Sequence, residues 1–145
     1  MPTRRRNAPR HPAVNSPAFK RWFGQSKVVD AQGEPLVVYH GTATPTFEVF
    51  SFHHGISAPV PNAAYFTDTP AVANDAAGYG PGRAIYPVYL RMVRPLVIDA
   101  EGAHAIHLTE RVVSALSRGR YDGVILKNVR EYFSDTPSTL SLIHI

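Results

Sequence analysis

A chain of 145 residues with 44% hydrophobic content can bury one core, so a single domain is expected. The absence of cysteine excludes a disulfide scaffold and a cysteine-zinc site and fits a reducing compartment. Nothing approaches the roughly 20 apolar residues of a bilayer span, and the first arginines have no apolar run behind them, so they do not read as a signal peptide.

Charge is placed unevenly. Met1 to Val29 carries seven basic residues and no acid (7 − 0 = +7), and the remainder eight basic and eleven acidic (8 − 11 = −3), which together give +4. Residues 1–15, with Pro2, Pro9 and Pro12, therefore read as a disordered basic arm or linker. Such an arm can contact nucleic acid through phosphates; on so short a segment a solvated linker is the favoured use.

Ser16 before Pro17, with Gly24 behind, predicts a helix over Pro17 to Phe23. Phe19, Trp22 and Phe23 share its apolar face and read as core packing. Val28 and Val29, a turn through Gly33, and Leu36 to Tyr39 suggest two short strands, the second ending at His40, Gly41 and Thr42. Gly41 has no Cβ to keep a ligand from the backbone. Thr44 to Phe52 is strand-like and His53 to Asn62 a loop whose adjacent His53 and His54 read as solvent-exposed.

Ala64 to Thr67 reads as a strand, and Thr69-Pro70 starts a small-residue helix ending at Gly78. Gly78 to Gly82 is a turn rather than a phosphate loop, because Pro81 removes an amide and no strand precedes it. Ile85 to Met92 and Pro95 to Asp99 read as strands, Leu108 to Ser117 as an amphipathic helix, and Tyr121 to Leu126 as an interior strand entered through Asp122-Gly123. His104 and His107 lack a third ligand and read as structural. Helices and strands mix without a βαβ rhythm, so an α+β fold with a split mixed sheet and short helices is expected.

The ordered set Val38-Tyr39-His40-Gly41-Thr42, Ala63-Ala64-Tyr65-Phe66-Thr67-Asp68, Pro70-Ala71-Val72-Ala73-Asn74 and Tyr121 to Asn128 resembles the ADP-ribosyltransferase domain of phage and mobile-element polyvalent proteins, related more distantly to diphtheria toxin and the poly(ADP-ribose) polymerases. Ser16 to Gly24 and Ser26 to Asp30 resemble that group's opening segment. The resemblance implies NAD as co-substrate, bound in the cleft of a split sheet. His40 would bond a ribose hydroxyl, and the Gly41 backbone would pair with the carboxamide. Thr42 would assist, and Tyr65 would line the nicotinamide ribose as the catalytic-site tyrosine. Where relatives place a second, stacking aromatic this chain has Asp75-Ala76-Ala77, with Tyr79 the nearest candidate. The imidazole of His40 and the phenol of Tyr65 are expected to converge on one hollow. The resemblance further implies a macromolecular acceptor, in first place a protein, and a cytoplasmic setting in a bacterium or phage-infected cell, with delivery in a phage particle as a variant.

Relatives also carry a late strand, often opened by a glutamate, and no such strand is expected after Tyr121 to Asn128. Leu140 to Ile145 are what a transposon-end sequencing adapter encodes in one frame. The expectation is therefore a domain over 16–139 that lacks its last strand, followed by a non-native tail over 140–145. A natural amphipathic tail is the alternative. Glu131 and Asp135 lie near that break and receive no role. Alternatives to a transferase releasing nicotinamide are a catalytically inactive nucleotide-binding module of the same fold, and a transferase acting on RNA phosphate ends. The last is disfavoured because the basic residues cluster before the domain.

Overall fold

The computed structural model describes residues 11–43, 63–78, 82–131 and 137–144. Ser16 Oγ accepts the Phe19 amide at 3.1 Å and Gly24 takes a φ of 51°, which bounds helix α1 (Pro17–Phe23) as the sequence predicts. Of its aromatic stripe only Phe23 is buried; Trp22 is 47% exposed, so the core uses one end of the stripe. Phe19 stacks on Phe23 at 5.6 Å and meets Tyr89 edge-on at 5.2 Å. Pro12–Asn15, expected at the end of a disordered arm, form a 3-10 turn, and the His11 amide donates to the Tyr89 hydroxyl at 3.1 Å. The first part of that arm, residues 1–10, lies outside the described residues, as do Thr44 to Phe52, the His53 to Asn62 loop and most of the Gly78 to Gly82 turn.

The strands are β1 (Val38–Thr42), β2 (Ala64–Thr67), β3 (Ala84–Val88), β4 (Pro95–Asp99), β5 (Gly123–Arg130) and β6 (Pro137–His144), with helices α2 (Pro70–Ala77) and α3 (Thr109–Ser117) between them. They form a six-stranded sheet in the order β3-β1-β2-β6-β5-β4. Only β4 and β5 run parallel, so the sheet is mixed and the fold α+β, as expected. β1 starts two residues later than Leu36 and runs through His40 and Gly41 to Thr42. Val29 keeps only an isolated bridge to Pro35. β3 stops at Val88 because the chain then turns to the segment after α1: the buried Ser26 Oγ donates to the Leu90 carbonyl (2.8 Å) and accepts the amides of Met92 (3.1 Å) and Val28 (3.3 Å).

Two cores flank the sheet. One face buries Val28, Val38, Phe66, Met92, Ile125 and Leu142; the other, under α3, buries Ile98, Ala105, Val112, Val124, Leu126 and Val129. The expectation that no strand follows Tyr121 to Asn128 is corrected by β6, which pairs with both β5 and β2. Its place is physically demanding, since β2 and β5 would otherwise present unpaired amides and carbonyls to each other across a gap. Leu142 fills the row between Phe66 and Ile125 and is fully buried.

The sheet is split as expected, and the register shows where. β1 pairs with β3 over all five residues from Val38 to Thr42, but with β2 only at Tyr39↔Thr67. Beyond Tyr39 the two halves, β3-β1 and β2-β6-β5-β4, part.

Candidate active site

The parting has a mouth whose main-chain groups follow from strand parity. Pro87 sits opposite Tyr39 and has no N–H, so that pair exchanges no ladder bonds and Tyr39 turns its N–H and C=O toward β2. Gly41, two residues on, has the same orientation, and continuation of the β2 ladder would join it to Tyr65. That pairing is not made. Instead His40 Nδ1 lies 2.6 Å from the Tyr65 carbonyl oxygen.

This contact fixes the tautomer. A carbonyl oxygen only accepts, so Nδ1 carries the proton and, in the neutral ring, Nε2 is an acceptor. Burial pushes His40 below the ordinary imidazole value of 6.5, while the bond to Tyr65 partly restores it. His40 is therefore neutral near pH 7, with Nε2 able to accept from an O–H group. Its ring rests on Phe66, with centroids 5.4 Å apart.

Gly41 does not leave its Cα face open to a ligand. A Cβ there would stand 1.8 Å from the Ala73 carbonyl oxygen and 3.0 Å from the Ala77 amide nitrogen, so the missing side chain admits α2 against β1. What Gly41 offers the split is its main chain.

The phenol of Tyr65 does not join the imidazole. His40 lies on the sheet face of Phe66 and Val38, whereas Tyr65 packs against the opposite core under α3. Neighbouring residues of a strand leave opposite faces, and Phe66, not Tyr65, shares a face with His40. The expected convergence of rings is thus corrected: the two residues meet as a ring and a carbonyl.

A family model for the ADP-ribosyltransferase domain of polyvalent proteins matches residues 30–139. The chain belongs to this family. No curated protein and no solved structure matches it. The match spans β1 through the start of β6, so the split between β1 and β2, the His40-Gly41 step and the Tyr65-Phe66 strand all lie inside the ADP-ribosyltransferase domain, whose family activity is ADP-ribosyl transfer.

Other expected residues of the ADP-ribosyltransferase site fall as follows. Thr42 closes β1 opposite Ala84 at the mouth. Tyr79 and Asp135 lie outside the described residues. Ala76 is exposed on α2. Asp122 shapes the approach to β5 by accepting the amides of Val93 (2.7 Å) and Arg94 (3.0 Å). His104 Nδ1 accepts the Ile106 amide at 3.2 Å and caps a 3-10 turn. Glu131 is buried just past β5, near the Arg130↔Pro137 pair, at the end of the sheet away from the mouth.

Sequence reasoning missed one network. Thr67 Oγ1 and Ser138 Oγ lie 2.6 Å apart, and Asp68 Oδ1 accepts from the Leu140 amide (3.1 Å) and the Thr69 hydroxyl (3.0 Å). It ties β6 to the junction of β2 and α2 at the closed end of the split. The Thr67-Asp68-Thr69 run was visible as polar residues at a strand end, but its partner lay in a strand the sequence did not reveal.

No helix among the described residues is long and apolar enough to cross a membrane.

Proposed function

We propose that the domain binds NAD in the split between β1 and β2, releases nicotinamide, and passes ADP-ribose to a macromolecular acceptor. The single observation behind this reading is that Gly41 aims an amide and a carbonyl into the opening where pairing with β2 stops, beside a His40 held neutral by the Tyr65 carbonyl. A primary carboxamide has one acceptor and two donors, and one strand residue offers the complementary donor and acceptor. His40 Nε2 accepts a ribose hydroxyl. Tyr65 contributes its carbonyl, which orients His40, and Thr42 lies beside them. Tyr79, one residue beyond the Gly78 cap of α2, is the proposed aromatic partner of the nicotinamide ring.

In the reaction the bond between the ribose anomeric carbon and the nicotinamide nitrogen breaks, and nicotinamide leaves with the electron pair. A nucleophile of the acceptor bonds the same carbon and gives up its proton. Positive charge builds on the ribose, so the step needs a carboxylate near the sugar. Glu131, at the far end of the sheet, is not that group. We further propose that Leu140 to Ile145 are adapter-encoded; the gene's nucleotide sequence tests this, and codons unlike the adapter's would remove the idea.

The test of the main reading is calorimetry with NAD on the chain and on His40→Ala, beside a nicotinamide-release assay. Unchanged affinity in the variant would refute the role of His40. A second reading, a nucleotide-binding module without transfer, is favoured by the Tyr65 ring lying under α3 and by the alanine at 76, where the family resemblance leads one to expect an aromatic. It predicts NAD binding with no nicotinamide released.

A further inference from the structure

The register aligns one end of the sheet. Ala64 of β2 stands opposite His144 of β6, His144 opposite Gly123 of β5, and Gly123 opposite Pro95 of β4. Ala64 is at the open end of the split, so the starts of β4 and β5 lie at the same end of the sheet as the mouth. β4 is three strand steps from β2, about 14 Å at the usual strand spacing.

Three arginines lie at this end of the sheet, and a fourth stands two helical turns away from it. Arg94 immediately precedes β4, Arg120 lies three residues before β5, and Arg118 caps α3; Arg111, seven residues before Arg118, lies two turns back on the same side of the helix. All four are exposed. They are four of the eight basic residues that follow Val29, in a portion of the chain whose net charge is −3. Among the described residues none of the four makes an ion pair. The nearby carboxylate, Asp122, has its two oxygens engaged by the amides of Val93 and Arg94 rather than by a guanidinium. A cation at the C-terminal end of a helix has a local reason, which accounts for Arg118. Arg94 and Arg120 precede strands, where no such reason applies.

We propose that this arginine corner docks the phosphate backbone of a nucleic-acid strand and holds it beside the mouth of the split as the acceptor of ADP-ribose. Guanidinium forks suit phosphate oxygens, and exposed, unpaired arginines engage them without first breaking a bridge. The identity of the strand as acceptor rests on the transferase reading above; the docking itself does not.

The experiment is fluorescence anisotropy of a labelled single-stranded oligodeoxynucleotide with the full chain across a salt series. The triple variant R94Q/R118Q/R120Q is expected to bind at least tenfold more weakly at low salt, with the slope of log affinity against log salt reduced by about 2. K127Q/R130Q, at the other end of the sheet, keeps both. Equal binding by the triple variant and the parent overturns the proposal. So does complete loss on replacing Arg4, Arg5, Arg6 and Arg10 by Gln with no effect of the triple variant, and so does capture of poly-glutamate in preference to the oligonucleotide, which would indicate an acidic protein acceptor. Calorimetry with NAD on the same variants separates the two readings: the corner variants keep NAD affinity and His40→Ala loses it. Oligonucleotide binding with no NAD binding by the parent chain would refute the transferase reading and leave the corner standing.

Discussion

His40 donates from Nδ1 to the main-chain carbonyl of Tyr65 at 2.6 Å, in the place where the ladder between β1 and β2 would have set the Gly41 amide. One side chain thus replaces a backbone bond and holds the two halves of the sheet together while leaving them open. His40→Asn can still donate an amide hydrogen to that carbonyl but has no Nε2 acceptor. It should remain folded with a melting temperature near that of the parent, while NAD affinity measured by calorimetry falls about tenfold, the worth of one hydrogen bond. Full affinity in the variant would show that Nε2 touches nothing in the complex.

The same residue sets a pH dependence. Its folded pKa lies below 6.5 because burial disfavours the cation. As pH falls from 6.5 to that lower value the unfolded chain takes up a proton that the folded chain does not, so stability is complete above 6.5 and declines through this window. NAD affinity, which needs the neutral ring, should stay flat from pH 8 to 6.5 and weaken only once pH drops below the lowered value. Urea midpoints and calorimetry at matched ionic strength check both, and an affinity that rises with acidification would contradict the assigned tautomer.

Gly41 is committed to packing. Gly41→Ala would drive a methyl into the Ala73 carbonyl, which is backbone and cannot rotate away, so α2 must lift from β1. A loss of about 3 kcal/mol is expected in chemical denaturation, at the upper end for an overpacked methyl. A cost below about 0.5 kcal/mol would mean that α2 does not sit on this glycine.

Ala76 offers a gain rather than a loss. It is exposed, one position before the buried Ala77, so a tyrosine there should cost little stability. If Ala76 faces the nicotinamide position, Ala76→Tyr should tighten NAD binding about fivefold, the factor for ~1 kcal/mol of ring stacking. No change would place the ring's partner elsewhere, with Tyr79 as the next residue to substitute.

Leu142 tests the central strand. It is fully buried between Phe66 and Ile125, so Leu142→Ala should cost about 2–5 kcal/mol in urea unfolding. A cost under about 1 kcal/mol would show that β6 does not fill the gap between β2 and β5.

The sequence by itself determined the local pieces of this protein. A serine-proline step and a glycine bound α1, Pro70 and Gly78 bound α2, and the apolar run Pro95–Asp99 is β4 residue for residue, because caps and strand propensity act over a few neighbouring positions. The ordered motifs also sufficed to indicate the family. Tertiary structure alone decided which faces those motifs present. That Phe66 rather than Tyr65 shares a face with His40, and that β1 and β2 pair once and then part, depends on register between strands far apart in the chain, where a slip of one residue exchanges every inward side chain for its neighbour. β6 went unread for a different reason: Leu140 to Ile145 read as an adapter-encoded tail, although Leu140 and Leu142 alternate as on a half-buried strand, and the segment is held as a strand because two other strands leave unpaired main chain on either side of it.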